Sequence, residues 1–227
     1  MNTLGEINNP ELEEFNRKGW IILESVISNQ DLETARRVTA ELKQYLIDEG
    51  LIGTEKEFGA PFYWSGIDMA GMLSKELYEM YTSKFMHEIA SKYLGAEPYL
   101  FNDQIVVKLP NEEFEFSPHY ENQYGPDPER ALKGHFKTIT CAWILDDFTE
   151  LNGPISLQNS TTHEWATPLP KAGDIMIWDG NTVHKSGINR DINSRRIWLN
   201  VYSTINMSTL APGFNNFYTD KFDGNQR

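Results

Sequence analysis

Residues 99–121 read YLFNDQIVVKLPNEEFEFSPHYE. Two short runs rich in apolar residues, YLFNDQIVVKLP and FEFSPH, flank the polar Asn111-Glu112-Glu113. Runs of that length bounded by turn residues predict β-strands. The same texture continues through FKTITCAWIL (136–145), GPISLQ (153–158), DIMIWD (174–179), NTVHKSG (181–187) and RRIWLNVYST (195–204). Several short strands at this spacing predict a sandwich or barrel.

Upstream the texture differs. Residues 1–95 read mainly as helix. Asn9 and Pro10 suit the start of a short helix that stops at Gly19, and WIIL (20–23) reads as a strand. A longer helix is expected over about 30–49, with Leu32, Ala35, Val38, Leu42 and Leu46 on one stripe. A second long helix is expected over about 74–94, with Leu77, Tyr81, Phe85 and Ile89 on one face and Gly95 as its terminator. The residues after 206 show no clear period. The expected architecture is therefore mainly β with flanking helices. One domain spans 1–227, with a helical support over 1–95, a double-stranded β-helix (jelly-roll) barrel over 96–206 and a C-terminal tail over 207–227.

Composition narrows the class of function. Forty per cent of the 227 residues are hydrophobic, which is a globular composition. Thirty-three acidic residues against 20 basic ones give a net charge of −13, so nucleic acid is a poor partner. The single cysteine, Cys141, excludes an internal disulfide and any cysteine-based zinc site. The N-terminal MNTLGEINNPELEEF has no basic segment leading into an apolar one, and no apolar run approaches the roughly 20 residues of a membrane span. The expected setting is cytoplasmic, with no membrane partner.

His119-Tyr120-Glu121 follows the run FEFSP. Residues i and i+2 of a strand share a face, so His119 and Glu121 can converge inside a barrel. His184, in NTVHKSG, can approach from another strand. Two imidazoles and one carboxylate on one face of a metal form the facial triad of non-haem iron(II) oxygenases, with neighbouring positions left open. A cationic residue about one strand further on can grip a carboxylate, and Arg195 and Arg196 stand there. On a strand the two point to opposite faces, and only one can enter the barrel.

These segments, in this order, resemble the phytanoyl-CoA dioxygenase family of iron(II)/2-oxoglutarate oxygenases. The likeness runs from ELEEFNRKGWIILESVISNQDLETARR through NDQIVVKLP, PHYE and CAWILDDFTELNGPISLQNSTTH to KAGDIMIWDGNTVHKSGINR and the arginine pair. Two departures stand out: Glu121 replaces the commoner Asp, and LQNSTTH lacks the family's proline-glycine pair.

The resemblance implies roles. His119, Glu121 and His184 would bind iron(II). Lys108 would contact 2-oxoglutarate, Trp143 would line its pocket, and Ser186 would offer a hydroxyl. Arg195, eleven residues after His184, would hold the distal carboxylate. Dioxygen would be the oxidant, with succinate and carbon dioxide as co-products. Retention of a carboxylate at Glu121 implies hydroxylation or another oxidation of an aliphatic carbon rather than halogenation. Tyr63, Trp64 and Asn102 are candidate substrate contacts, with Phe217 and Tyr218 near them. The substrate expected is a small metabolite, such as an amino acid derivative or a natural-product intermediate. His87, His135 and His163 read as structural or exposed, and Trp64, Trp165, Trp178 and Trp198 as packing residues before substrate contacts. Two rival readings keep the fold: a cupin-like metalloenzyme without 2-oxoglutarate, against which Arg195 argues, and a non-catalytic sensor, against which an intact triad argues.

Overall fold

The computed structural model describes residues 9–48, 66–68, 70–111 and 115–206. Within these, the strands are β1 (Trp20–Leu23), β2 (Gly66–Asp68), β3 (Tyr99–Lys108), β4 (Phe116–His119), β5 (Thr138–Ile144), β6 (Ile155–Gln158), β7 (Trp165–Ala166), β8 (Ile175–Asp179), β9 (His184–Ser186) and β10 (Arg195–Ser203). A larger sheet has the order β1-β8-β5-β10-β3-β2 and a smaller one the order β4-β9-β6-β7. Neighbouring strands pair antiparallel throughout. The two sheets pack face to face as a jelly roll.

Strand alternation divides the larger sheet's side chains between two cores. Ala142 and Ile144 of β5, Met176 and Trp178 of β8, Val106 of β3 and Ile197 of β10 point inward. There they meet Ile155 and Leu157 of the smaller sheet. Ile139, Cys141, Trp143, Ile175, Ile177, Ile105, Val107, Trp198 and Tyr202 point outward, against helices. Every residue of β5 is buried, because this central strand is covered on both faces.

The helices are α1 (Asn9–Lys18), α2 (Asn29–Asp48), α3 (Ala70–Leu73), α4 (Lys75–Tyr81), α5 (Lys84–Leu94) and α6 (Pro128–Leu132). Ser28 caps α2: its hydroxyl accepts from Asp31 N at 3.1 Å and donates to the Asp31 carboxylate at 2.7 Å. Leu32, Ala35, Val38 and Leu42 form the buried stripe of α2. The helix expected over about 74–94 is two helices. Ser83 adopts extended dihedrals and its hydroxyl accepts from Met86 N, so a new helix starts in the middle of the apolar stripe. The break also shifts the stripe: Leu77, Tyr81 and Ile89 are fully buried as expected, but Met86 takes the buried place expected of Phe85, which is only half-buried. Gly95 ends α5 in the left-handed conformation, at φ 70°.

Buried polar bonds tie the helical layer to the sheet. The single Tyr81 hydroxyl proton is shared between the Val201 and Asn102 carbonyls, at 2.6 and 2.9 Å, and Tyr202 donates to the Tyr81 carbonyl at 2.9 Å. The buried Asp103 carboxylate accepts from Trp198 Nε1 at 2.8 Å and from Gly71 N at 2.9 Å. No helix among the described residues is long and apolar enough to cross a membrane.

Candidate active site

His119 and His184 are directly opposite residues of β4 and β9. Between the Phe116–Ser186 and His119–His184 pairs, β4 holds one residue more than β9. Pro118 lies within this bulge, where its missing N–H costs no ladder bond. The ring centroids of the two histidines are 4.3 Å apart.

Each imidazole has its Nδ1 against a backbone carbonyl two residues earlier: His119 on Ser117 O at 2.7 Å, His184 on Thr182 O at 3.0 Å. A carbonyl can only accept, so Nδ1 carries the proton and Nε2 keeps its lone pair. Hydrogen bonds of this kind orient metal-binding histidines. β4 ends at His119, and Glu121 opens a 3-10 turn over Glu121–Tyr124. Tyr120 stays extended, at φ −133° and ψ 145°, which brings Glu121 back to the His119 side. The Glu121 carboxylate lies 3.4 Å from His184 Nε2.

One donor atom from each of His119, Glu121 and His184 lies within 4.8 Å of the other two. Metal–ligand bonds of about 2.1 Å at right angles put donors about 3 Å apart, so the group fits a single transition-metal ion. The ionisation states agree. Burial, helped by the neighbouring His184, lowers the pKa of His119 and favours the neutral ligand form. Burial alone would raise Glu121, but His184, as hydrogen-bond donor and charge when protonated, and a protonated His119 would hold it below the ordinary carboxylate value.

The triad lines a cavity of about 520 Å³ between the sheets. Arg195, Ile197 and Leu199 of β10 line it, with Asn102, Gln104 and Val106 of β3. Ser186 of β9 borders it as well. Arg195 is buried, with its guanidinium over the Phe148 ring at 4.7 Å. Arg196 turns the other way and forms a two-pronged pair with Asp146, both contacts 2.7 Å.

Two expected residues lie elsewhere. Lys108 points inward beside Arg195, but its ammonium donates to the Gly187 carbonyl and sits over the Phe116 ring. It is not part of the cavity wall. A fully buried ammonium must place its protons on acceptors, and the Gly187 carbonyl supplies one. Trp143 is on the outward parity of β5, packed against Trp198, with its Nε1 donating to Met86 Sδ at 3.3 Å. It therefore faces the helical layer and cannot line the pocket. Tyr63, Trp64, Phe217 and Tyr218 lie outside the described residues. His87 meets Glu97 at 3.1 Å on the surface, and His163 is exposed.

Other wall residues carried no expectation of function. Trp178, read from sequence as a packing residue, packs against His184 at 5.2 Å between ring centroids and also borders the cavity. Tyr124 lies 6.0 Å from the His119 ring and is 69% exposed, at the mouth. Gln104, Glu115 and Lys185 add polar groups. Inward parity on β3 and β8 is the sequence signal for Gln104 and Trp178. Tyr124 sits on an irregular turn and has no such signal.

The sequence profile of the phytanoyl-CoA dioxygenase (PhyH) family matches residues 15–197. The chain belongs to this family. Among curated relatives, ectoine dioxygenase of Bordetella parapertussis is 22% identical, over 89% of this chain and 77% of the relative. The Bordetella bronchiseptica enzyme is 21% identical over the same shares. Among solved structures, EctD from S. alaskensis with 2-oxoglutarate and 5-hydroxyectoine superposes with a TM-score of 0.74 at 18% identity, covering 89% of this chain and 78% of EctD. The alpha-ketoglutarate-dependent carbocyclase SnoK of nogalamycin biosynthesis gives 0.70 at 16% identity, covering 87% and 84%. Family, fold and the histidine–glutamate–histidine group together support an iron- and 2-oxoglutarate-dependent oxygenase.

Proposed function

We propose that this protein is an iron(II)- and 2-oxoglutarate-dependent oxygenase that hydroxylates an aliphatic carbon of a small polar metabolite. The observation that carries the reading is the placement of Arg195 in the same cavity as the three metal-binding side chains. Two histidines and a carboxylate also suit a hydrolytic zinc site. A buried guanidinium bordering the cavity adds what a co-substrate carboxylate needs, two parallel charge-assisted hydrogen bonds.

Iron(II) with 2-oxoglutarate and dioxygen supplies oxidative decarboxylation to succinate and carbon dioxide and the transfer of one oxygen atom to the substrate. The chain's own residues do the rest. His119, Glu121 and His184 would hold the metal. Arg195 would grip the distal carboxylate of 2-oxoglutarate, and Ser186, on the same cavity, would offer a hydroxyl. Ile197, Val106 and Ile155 keep that end of the cavity dry, which strengthens both contacts. Lys108 acts one layer behind, holding the Gly187 carbonyl next to Ser186.

About 520 Å³ suits a small organic acid together with a substrate of modest size. Asn102, Gln104 and Glu115 offer hydrogen bonds to a polar substrate, and Leu199 and Tyr124 offer apolar contact. An amino acid derivative or a natural-product intermediate has this mixed character. One domain housed in the cytoplasm completes the proposal.

The test is a screen. Protein loaded with iron(II) is given 2-oxoglutarate, dioxygen and small metabolites, with ectoine, named for the Bordetella relatives, among the first. Substrate-stimulated succinate release with one oxygen atom added to the substrate supports the proposal. Turnover that proceeds without 2-oxoglutarate would instead establish the cupin-like reading.

A further inference from the structure

Of the three metal-binding side chains, two are placed by a strand ladder and one is not. His119 and His184 are fixed as opposite residues of β4 and β9. Glu121 stands beyond the end of β4, on a four-residue 3-10 turn. A single turn of this kind has poor hydrogen-bond geometry and does not hold its own position.

Asn122, the next residue, is 4% exposed and bonded on every side. Its backbone N–H donates to the Gly180 carbonyl at 3.0 Å. Its side-chain Nδ2 donates to Asn181 Oδ1 at 2.8 Å. Its Oδ1 accepts from the Thr138 hydroxyl at 2.7 Å. Thr138 begins β5, and Gly180 and Asn181 form the turn between β8 and His184. That turn is itself held: Gly180 N donates to the Thr138 carbonyl at 2.9 Å, and Asn181 N to the Asp179 carboxylate at 2.8 Å. The packing leaves no slack. A Cβ on Gly180 would lie 1.8 Å from Thr138 Oγ1 and 2.8 Å from Asn122 Nδ2. The same turn carries Thr182, whose carbonyl meets His184 Nδ1 and whose hydroxyl donates to the Gly19 carbonyl at 2.9 Å.

We propose that Asn122 is a positioning residue for Glu121: with Thr138 and the Gly180–Asn181 turn it clamps the 3-10 turn to the segment bearing His184, and so sets where the third metal ligand points. The proposal rests on the metal-centre reading. It also gives the glutamate at this position a physical role. A glutamate has one more rotatable bond than an aspartate, so its carboxylate reaches the metal only if its backbone is held at the right distance. Freed from the clamp, the turn samples other positions and Glu121 spends less time beside His184.

Cobalt(II) alone is the probe. Apoprotein is titrated with Co(II), following its visible ligand-field bands, and melting of the apoprotein is recorded alongside. The variants are Asn122→Ala, Thr138→Val (which removes only the hydroxyl), Thr138→Ser (which keeps it) and Glu121→Ala, alone and combined with Thr138→Val. Outer hydrogen bonds to metal ligands are worth about 10–100-fold in metal affinity. Asn122→Ala and Thr138→Val are expected to weaken Co(II) binding by about 10-fold or more and to alter the bands, with Thr138→Ser close to the parent. In the Glu121→Ala background, Thr138→Val is expected to add little further loss. Parent-like Co(II) affinity in Thr138→Val and Asn122→Ala, with only a lower melting temperature, would overturn the proposal. So would an equal penalty with and without Glu121. Failure of the parent protein to bind Co(II) would remove the metal centre itself, and the clamp's role with it.

Discussion

Arg195 and Arg196 are consecutive residues of β10 whose guanidinium groups end on opposite sides of the larger sheet. The first borders the cavity beside the triad, and the second pairs with Asp146. Their functions should separate accordingly. Arg195→Gln is expected to raise the apparent KM for 2-oxoglutarate by roughly thirtyfold or more, the loss of about 2–5 kcal/mol from a desolvated charge-assisted pair. Arg196→Gln should leave that KM unchanged and lower folding stability by about 1 kcal/mol, since its pair is only part-buried. Succinate release and urea unfolding of both variants measure the two effects. The reverse assignment would place the wrong arginine in the cavity.

In the proposed function Glu121 would decide the type of product. With this carboxylate, two histidines, a chelating 2-oxo acid and dioxygen as ligands, a six-coordinate iron would have no position left for halide. Turnover in high chloride should therefore still add oxygen to the substrate or desaturate it, and Glu121→Ala should lose hydroxylation. Mass spectrometry of the product distinguishes these outcomes, and a chlorinated main product from the parent enzyme would contradict the assignment.

Cys141 is fully buried on the outward face of β5, and burial pushes its thiol pKa up. It should resist alkylation in the native protein and react at the rate of global unfolding. Labelling with iodoacetamide across a urea series, read by mass, checks this. Fast labelling without denaturant would show that the interface between the helices and β5 opens locally.

Gly153 has φ +69°, and a Cβ there would lie 2.5 Å from the Gly187 carbonyl oxygen and 3.0 Å from Lys108 Cδ. Gly153→Ala combines a strained backbone with a clash against the carbonyl that holds the Lys108 ammonium. It should destabilise the fold by about 1–3 kcal/mol. Thermal unfolding measures the loss, and a variant as stable as the parent would mean the β6 entry loop is free to shift.

Much of this was legible because strand parity is a strong signal. Alternation along β5 and β8 sorts inward from outward residues, but along β10 it leaves open which arginine enters the barrel; the family spacing from His184 favours Arg195, and the structure puts Arg195 on the cavity with Ile197 and Leu199. The same parity, applied to β5, would have placed Trp143 outward with Cys141. The resemblance to a family motif carried it inward instead, where the structure does not put it. Lys108 has inward parity, yet parity cannot tell which acceptor an ammonium will take. The split between α4 and α5 is hidden in the sequence because Leu77, Tyr81, Phe85 and Ile89 keep helical spacing straight through it, although Ser83 caps a new helix that buries Met86 instead of Phe85. The clamp on Glu121 was not legible, since Asn122, Thr138 and Asn181 meet only through tertiary contacts.

In the proposed function one site binds metal through His119, Glu121 and His184 and 2-oxoglutarate through Arg195. Anaerobic absorption spectroscopy tests it most directly. Iron(II) and 2-oxoglutarate added together to the apoprotein should produce a weak visible metal-to-ligand band that neither produces alone. The band should vanish in His184→Ala and need more 2-oxoglutarate in Arg195→Gln. No band in the parent protein, or an undiminished one in His184→Ala, would contradict the account.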